Sequence, residues 1–269
     1  MEPVQPVGPM QPVPPNNDAD EKAWRSVFSG TDPGLRFIRG FWLRVPSKPR
    51  CKMCASPFGG VGGALAKVFW HAPVVRNPLM CRACDGYLRR HPGGAQIEIS
   101  VLFADVRDST SLAERISPAE FRNRLQAFYA VVENATIAHD GIIDKYMGDG
   151  VMALFIPGLS GAEHAPPAVA AGRELLREMS RLPEPRLSVG VGVHSGTAYV
   201  GVVGNTRDRD FSALGDVVNV AARLGSAALA GELLVSADTA RTAQLDTTSI
   251  PHRVMELKGR HEPLEVVSL

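Results

Sequence analysis

Ile142–Phe155 reads IIDKYMGDGVMALF: two apolar, strand-like runs on either side of a tight Met147-Gly148-Asp149-Gly150 connection. The pattern predicts a β-hairpin. Gly148 and Gly150 are free to take positive φ, and they present Asp149 at a rigid tip with Lys145 four residues upstream. A carboxylate held that way is either an ordinary turn residue or a ligand for a cation, and the flanking chain has to decide between them.

Just upstream, Ile97-Glu-Ile-Ser-Val-Leu-Phe-Ala104 has the pattern of a buried strand that delivers Asp105 at its C-terminal end, with Asp108-Ser-Thr starting a turn and short helix. Ser117-Pro118-Ala-Glu120 is a capping box with Pro at the first helical position. It opens a helix whose apolar residues, from Phe121 to Ala135, keep helical spacing to about His139. Asp140-Gly141 ends that helix and feeds the hairpin. Downstream, a helix is expected near Ala168–Arg181, then two strands, Leu187–His194 and Thr197–Val203, joined at Ser195-Gly196. His194, at the end of an apolar strand, reads as structural. Phe211-Ser212-Ala-Leu-Gly-Asp216 leads into a helix that places Asn219 and Arg223, four apart, on one face. Further short strands complete a mixed α and β domain over residues 97–269.

The front of the chain is different in kind. Residues 1–95 carry 13 Lys and Arg against 6 Asp and Glu (+7), and the rest carries 16 against 22 (−6), so the second part offers no electrostatic case for nucleic acid. Residues 1–18 are Pro-rich and too poor in large apolar groups to pack, which predicts a disordered or polyproline-II tail. Between residues 19 and 50, Trp24, Phe28, Phe37, Phe41 and Trp42 stand among Arg and Lys, suggesting one or two short amphipathic helices. These aromatics either cover the module that follows or form a membrane-surface helix.

That module, residues 51–92, holds all four cysteines as Cys51-x-x-Cys54 and Cys81-x-x-Cys84. Two residues between thiolates let a turn aim both sulfurs at one ion, and two such knuckles complete a tetrahedral S4 shell. Structural zinc is the first reading and an iron–sulfur cluster the alternative. His71 and His91 read as bystanders. The glycines of Pro57–Lys67 match no phosphate-binding loop and read as a flexible connection between the knuckles. No apolar run reaches a membrane span and the N-terminus lacks a basic start with an apolar core, so the expected setting is cytoplasmic.

Asp105 and Asp149, on neighbouring β elements, together suit a two-ion site for Mg²⁺ or Mn²⁺, the arrangement that handles in-line displacement at phosphorus. Asn219 and Arg223 could then brace the crowded phosphoryl group, and Lys258 a terminal phosphate.

Phe-Ala-Asp105-Val, Lys145-Tyr-Met-Gly-Asp149 and Gly215-Asp-Val-Val-Asn219-Val-Ala-Ala-Arg223, in that order and spacing, resemble the class III nucleotidyl cyclases, the adenylate and guanylate cyclase family. The resemblance covers about residues 97–269. It implies a ferredoxin-like α/β sandwich and an active site shared by two subunits. Asp105 and Asp149 would be the metal ligands, Asn219 and Arg223 the transition-state pair, Lys145 and Ser212 the base-selecting positions, and Lys258 the triphosphate lysine. Ser212 departs from the Asp or Thr usual in adenylate cyclases. Lys145 stands where guanylate cyclases carry Glu, so the resemblance implies a homodimeric adenylate cyclase acting on ATP to make cyclic AMP. Rival expectations are a cyclase of other base choice and a non-catalytic nucleotide sensor. The resemblance assigns the cysteine module no function, which leaves room for a regulatory partner.

Overall fold

A computed structural model describes residues 18–47, 49–51, 53–74, 77–91, 93–204, 209–256 and 262–269. The Pro-rich tail up to residue 17 and Lys258 fall outside this set. Asp18 already begins the first helix.

The front part consists of α1 (Asp18–Phe28), α2 (Pro33–Leu43), α3 (Gly60–Val68), a two-stranded ladder of β1 (Pro73–Val74) and β2 (Asn77–Cys81), and α4 (Arg82–Arg90). Asp32 caps α2, its carboxylate accepting from Leu35 N at 2.7 Å, with Pro at the first turn. The glycine-rich stretch expected to be a flexible connection is helical: α3 occupies it. Gly costs a helix about 1 kcal/mol relative to Ala, so tertiary packing, not propensity, makes this helix.

The second part runs β3 (Gly94–Val106), α5 (Ser109–Ala113), α6 (Pro118–Ala138), β4 (Ile142–Met147), β5 (Gly150–Phe155), α7 (Pro157–Ser160), α8 (Ala165–Arg181), β6 (Val189–Gly204), β7 (Arg209–Leu214), α9 (Asp216–Ala227), β8 (Leu233–Ser236), α10 (Ala237–Thr242), β9 (His252–Met255) and β10 (Leu264–Ser268). Ser117 caps α6 as predicted, accepting from Glu120 N at 3.2 Å, although the Glu120 carboxylate turns to Arg124 and does not close the box. The eight strands form one sheet in the order β4-β5-β3-β6-β8-β10-β9, with β7 also on β6. Among the described residues of this sheet, β6 and β8 pair in parallel and the other pairings are antiparallel.

β6 is one strand where the sequence suggested two. Its partner β3 runs beside it without interruption, Ser100 opposite Ser195 and Ile99 opposite Gly196, so the ladder carries the backbone straight through. Ser195 N is further held by Thr239 Oγ1 at 2.7 Å.

Strand alternation divides the core into two faces. Leu102 and Ala104 of β3, Val151, Ala153 and Phe155 of β5, and Val191 and Val193 of β6 point to one face, which α6, α8 and α10 cover. Ile99 and Val101, Met152 and Leu154, and Ala198 and Val200 point to the other. There they meet α9 and, in the same apolar cluster, Trp24, Val27, Phe28, Met80 and all four cysteines. The front part therefore helps complete the core of the main sheet. Each fully buried Leu, Phe or Met in these faces contributes about 1.5–3 kcal/mol.

Candidate active site

Asp105 and Asp149 meet as the sequence suggested. Asp105 stands at the end of β3 opposite Gly150, and Val106 N donates to Asp149 O at 3.0 Å, which ties the hairpin turn to the strand end. Met147 pairs with Gly150, leaving Gly148-Asp149 as a two-residue connection. Gly148 carries the positive φ this requires (67°), whereas Gly150, expected to share that role, is not among the left-handed glycines; it is a ladder residue facing Asp105.

Two neighbours that sequence reasoning passed over complete this corner. Ser109 Oγ donates to Asp149 Oδ2, and Arg107 pairs through Nη2 with Asp105 Oδ2 while its Nη1 donates to Ser226 O and Ala228 O at the end of α9. Burial pushes the Asp105 carboxyl up, Arg107 opposes that, and the Asp149 carboxylate adds to it. Both aspartates open on a cleft of about 690 Å³ lined by Val106–Ser111 and Ser226–Ala230. Two hard oxygen donors that repel one another in a cleft of that size fit a divalent cation.

Lys145 and Ser212 come together elsewhere, through a residue that was also missed. The β4–β5 register shifts between Ile143 and Lys145, so Asp144 is an extra residue, a β-bulge. Ile142, Ile143 and Asp144 are all buried, since both faces of the sheet are covered there. Asp144 Oδ2 accepts from Ser212 Oγ at 2.7 Å and lies 3.3 Å from Lys145 Nζ. β4 and β7 are four ladder steps apart, roughly 19 Å in a flat sheet. A 2.7 Å bond between them means that the sheet curls until its two distant strands touch. Ser212 is buried, whereas the Lys145 side chain is 43% exposed. On α9, Asn219 is exposed and Arg223 half-buried. None of Lys145, Ser212, Asn219 or Arg223 lines the aspartate cleft.

A family model described as the adenylate and guanylate cyclase catalytic domain matches residues 94–267, well over half of the chain. The chain belongs to this family. The cyclase domain is 36% identical over 132 residues to an adenylate cyclase of Anabaena cylindrica (47% of this chain) and 33% identical over 178 residues to adenylate cyclase 1 of Rhizobium meliloti (62% of this chain). Each match takes in only 26% of the relative's length. Among solved structures, it resembles the guanylyl cyclase Cya2 (TM-score 0.60, 29% identity, 65% of this chain and 93% of that one). It also resembles the adenylyl cyclase CyaB from P. aeruginosa (TM-score 0.57, 28% identity, 64% and 93%). Both nucleotide specificities thus occur among proteins similar to this one.

The cysteine cluster lies outside the matched cyclase domain. Cys51, Cys54, Cys81 and Cys84 are all buried, with their sulfurs within 4.8 Å of one another, placed to hold a metal ion. Cys81 N donates to Cys51 Sγ and Cys84 N to Cys81 Sγ, each at 3.4 Å. Contacts among the thiols, led by those with Cys51, hold Cys81 well below the ordinary thiol range and push Cys54 and Cys84 up. A cation that takes all four as thiolates removes that competition. His71 stands outside that quartet of candidate ligands but touches it: its Nδ1 sits 3.3 Å from Cys81 Sγ and 3.5 Å from Cys54 Sγ, and its ring packs edge-on against Trp42. His91 packs on Tyr87.

Proposed function

We propose that this chain is an adenylate cyclase whose active sites form between two copies. The ribose 3′-hydroxyl of ATP attacks the α-phosphorus, the bond to the bridging oxygen of the β-phosphate breaks, and the hydroxyl proton is released. Cyclic AMP and pyrophosphate leave. The observation that carries the reading is the separation within one chain. One hairpin presents Asp149 to the cleft with Asp105 and presents Lys145 elsewhere, and the cleft contains neither Lys145 nor Arg223. Each chain would supply aspartates to one site and Lys145, Asn219 and Arg223 to the other.

Asp105 and Asp149 would hold two Mg²⁺ or Mn²⁺ ions, which lower the pKa of the attacking hydroxyl and neutralise the leaving oxygens. Arg223 and Asn219 would brace the crowded phosphoryl oxygens, and Lys258 the triphosphate. Asp144 holds Lys145 by its buried charge, leaving the remaining ammonium protons for an acceptor on the base edge. Because Ser212 is buried and its proton is committed to Asp144, base choice would fall mainly on Lys145. The burial of Ser212 also favours a second reading, a guanylate or pyrimidine cyclase. In the cysteine module a structural zinc is the favoured occupant, with an iron–sulfur cluster as alternative, and the product would be a cytoplasmic signal.

The test has two arms. Product analysis with ATP, GTP, CTP and UTP, each with Mg²⁺ or Mn²⁺, should yield mainly cyclic AMP. Lys145→Ala and Asp149→Ala should each be nearly inactive, yet an equal mixture should recover about a quarter of wild-type activity, since half of the dimers would then carry one intact site. A mixture that stays inactive while dimers form would sink the shared site, and ATP bound without pyrophosphate release would support a non-catalytic sensor.

A further inference from the structure

In the front part, α3 is inside-out. Its inward stripe is Gly62, Gly63 and Ala66, and its outward stripe is Val61, Leu65 and Val68, spaced four and three apart along one side. Val61 is 90% exposed and Val68 74%. The helix cannot roll to hide them. A Cβ on Gly62 would lie 2.7 Å from Val45 Cγ1, and one on Gly63 2.5 Å from the backbone of Phe58, so only this glycine face fits against the module. Phe69 and Trp70 extend the stripe. Trp70 holds a left-handed φ of 63° and is 74% exposed. Its neighbour His71 packs against the buried Trp42 of α2 (ring centroids 5.5 Å), which ties this end of the stripe to that helix.

Charge selects what this surface meets. From residue 33 to residue 84 the sequence holds nine Lys and Arg and no Asp or Glu. Arg39 and Arg50 turn inward to backbone carbonyls, but Arg36, Arg44, Lys67 and Arg82 are exposed. Pairing this face with its copy in a second chain would press two strongly cationic segments together. Exposed apolar and aromatic side chains on a segment whose only charges are cationic suit an anionic lipid surface, where the apolar groups enter the headgroup boundary and the cations meet phosphates. Nine helical residues span only about 14 Å against roughly 30 Å of bilayer hydrocarbon, so α3 would lie along the surface and not cross it.

We propose that the front module is a peripheral docking surface for anionic phospholipid membranes, with Val61, Leu65, Val68, Phe69 and Trp70 as its inserting edge. The chain supplies its own reporter. Trp24 and Trp42 are buried, so a lipid-induced change in tryptophan emission belongs to Trp70.

The experiment is sedimentation and tryptophan fluorescence of the full chain with phosphatidylcholine vesicles, with and without phosphatidylglycerol. Anionic vesicles should bind the protein and shift Trp70 emission to the blue; neutral vesicles should bind it weakly. The triple variant Val61→Ser, Leu65→Ser, Trp70→Ser changes only exposed side chains. It should keep its metal content and melting temperature but partition at least about tenfold less. Three outcomes would overturn the proposal. The triple variant could bind as well as wild type. Binding could be abolished by salt and indifferent to the variant, which is plain electrostatic adsorption. Or vesicles could fail to bind while wild type self-associates and the variant does not, which makes the occupant a second copy.

Discussion

The two faces of the central sheet are closed by different means. One is covered by α6, α8 and α10 of the cyclase domain itself, through aliphatic and aromatic contacts around Phe128, Phe155 and Leu175. The other is closed by α9 together with a helix and a cysteine cluster from the front of the chain. There Trp24 stacks on Phe28 at 5.1 Å, and Phe28 packs on Phe211 of β7 at 5.5 Å. The first face needs only the apolar contacts of the cyclase domain. The second also draws on a module whose four buried sulfurs lie within 4.8 Å of one another, placed to hold a metal ion.

The largest expected effect follows directly. Stripping metal from the module, or replacing Cys81 by Ser, should cost a large part of the apparent 10–16 kcal/mol that structural zinc sites contribute to small domains. It should loosen the second face first. The side-chain methyl NMR signals of Leu154 and Val200, which are clustered with the cysteines, should broaden or shift more than those of Ala153 and Val191 of the same strands, and cyclase activity should fall with it. Equal changes on both faces would mean that the sheet stands or falls as one unit, and the contrast between the faces would be lost.

A smaller effect sharpens the role of the curl. Lys145→Ala leaves the Asp144 carboxylate buried without its ammonium. Because Lys145 is itself 43% exposed, the cost should be moderate, about 1–3 kcal/mol in urea unfolding. Adding Asp144→Asn should recover most of that stability without restoring nucleotide turnover, because the amide still accepts from Ser212 and needs no cation. If the double variant is no more stable than Lys145→Ala, the ion pair is not what holds this corner.

How much of this was legible in the sequence follows from which residues obey simple periods. The hairpin, β3 and the α6 cap were readable because apolar alternation, Gly148 and Ser117 each have a local cause. Asp144 was not, because a bulge inserts one residue and breaks the period of two. Read by unbroken alternation it would share the face of Ile142 and lie opposite Lys145, and nothing in the sequence joins it to Ser212. The helix α3 was hidden by its glycines, whose low propensity is overridden by the close approach to Val45 and Phe58. His71 was hidden because two cysteine pairs already complete a quartet, and only the fold brings its ring to the sulfurs. The corner partners Arg107 and Ser109 carry no motif of their own; adjacency to Asp105 was the one available signal.

The smallest effect tests the first face from within. His164 is buried at the start of α8, its Nδ1 2.8 Å from Ser100 Oγ, which in turn lies 2.6 Å from Ser195 Oγ. Burial lowers its pKa below the ordinary 6.5, and the nearby Glu98 opposes this only in part. The folded state therefore favours neutral His164. Its contribution to stability is present above the unfolded pKa and is lost as pH falls below 6.5 through the lowered folded value. Melting temperatures of wild type should drop more steeply between pH 7 and pH 5 than those of His164→Gln, which cannot gain the proton. The drop should be the same with the module's metal in place or removed, because the proton enters the helix-covered face. Should metal removal steepen it, the two faces communicate through Ser100 and β3, and closing one of them tunes the other.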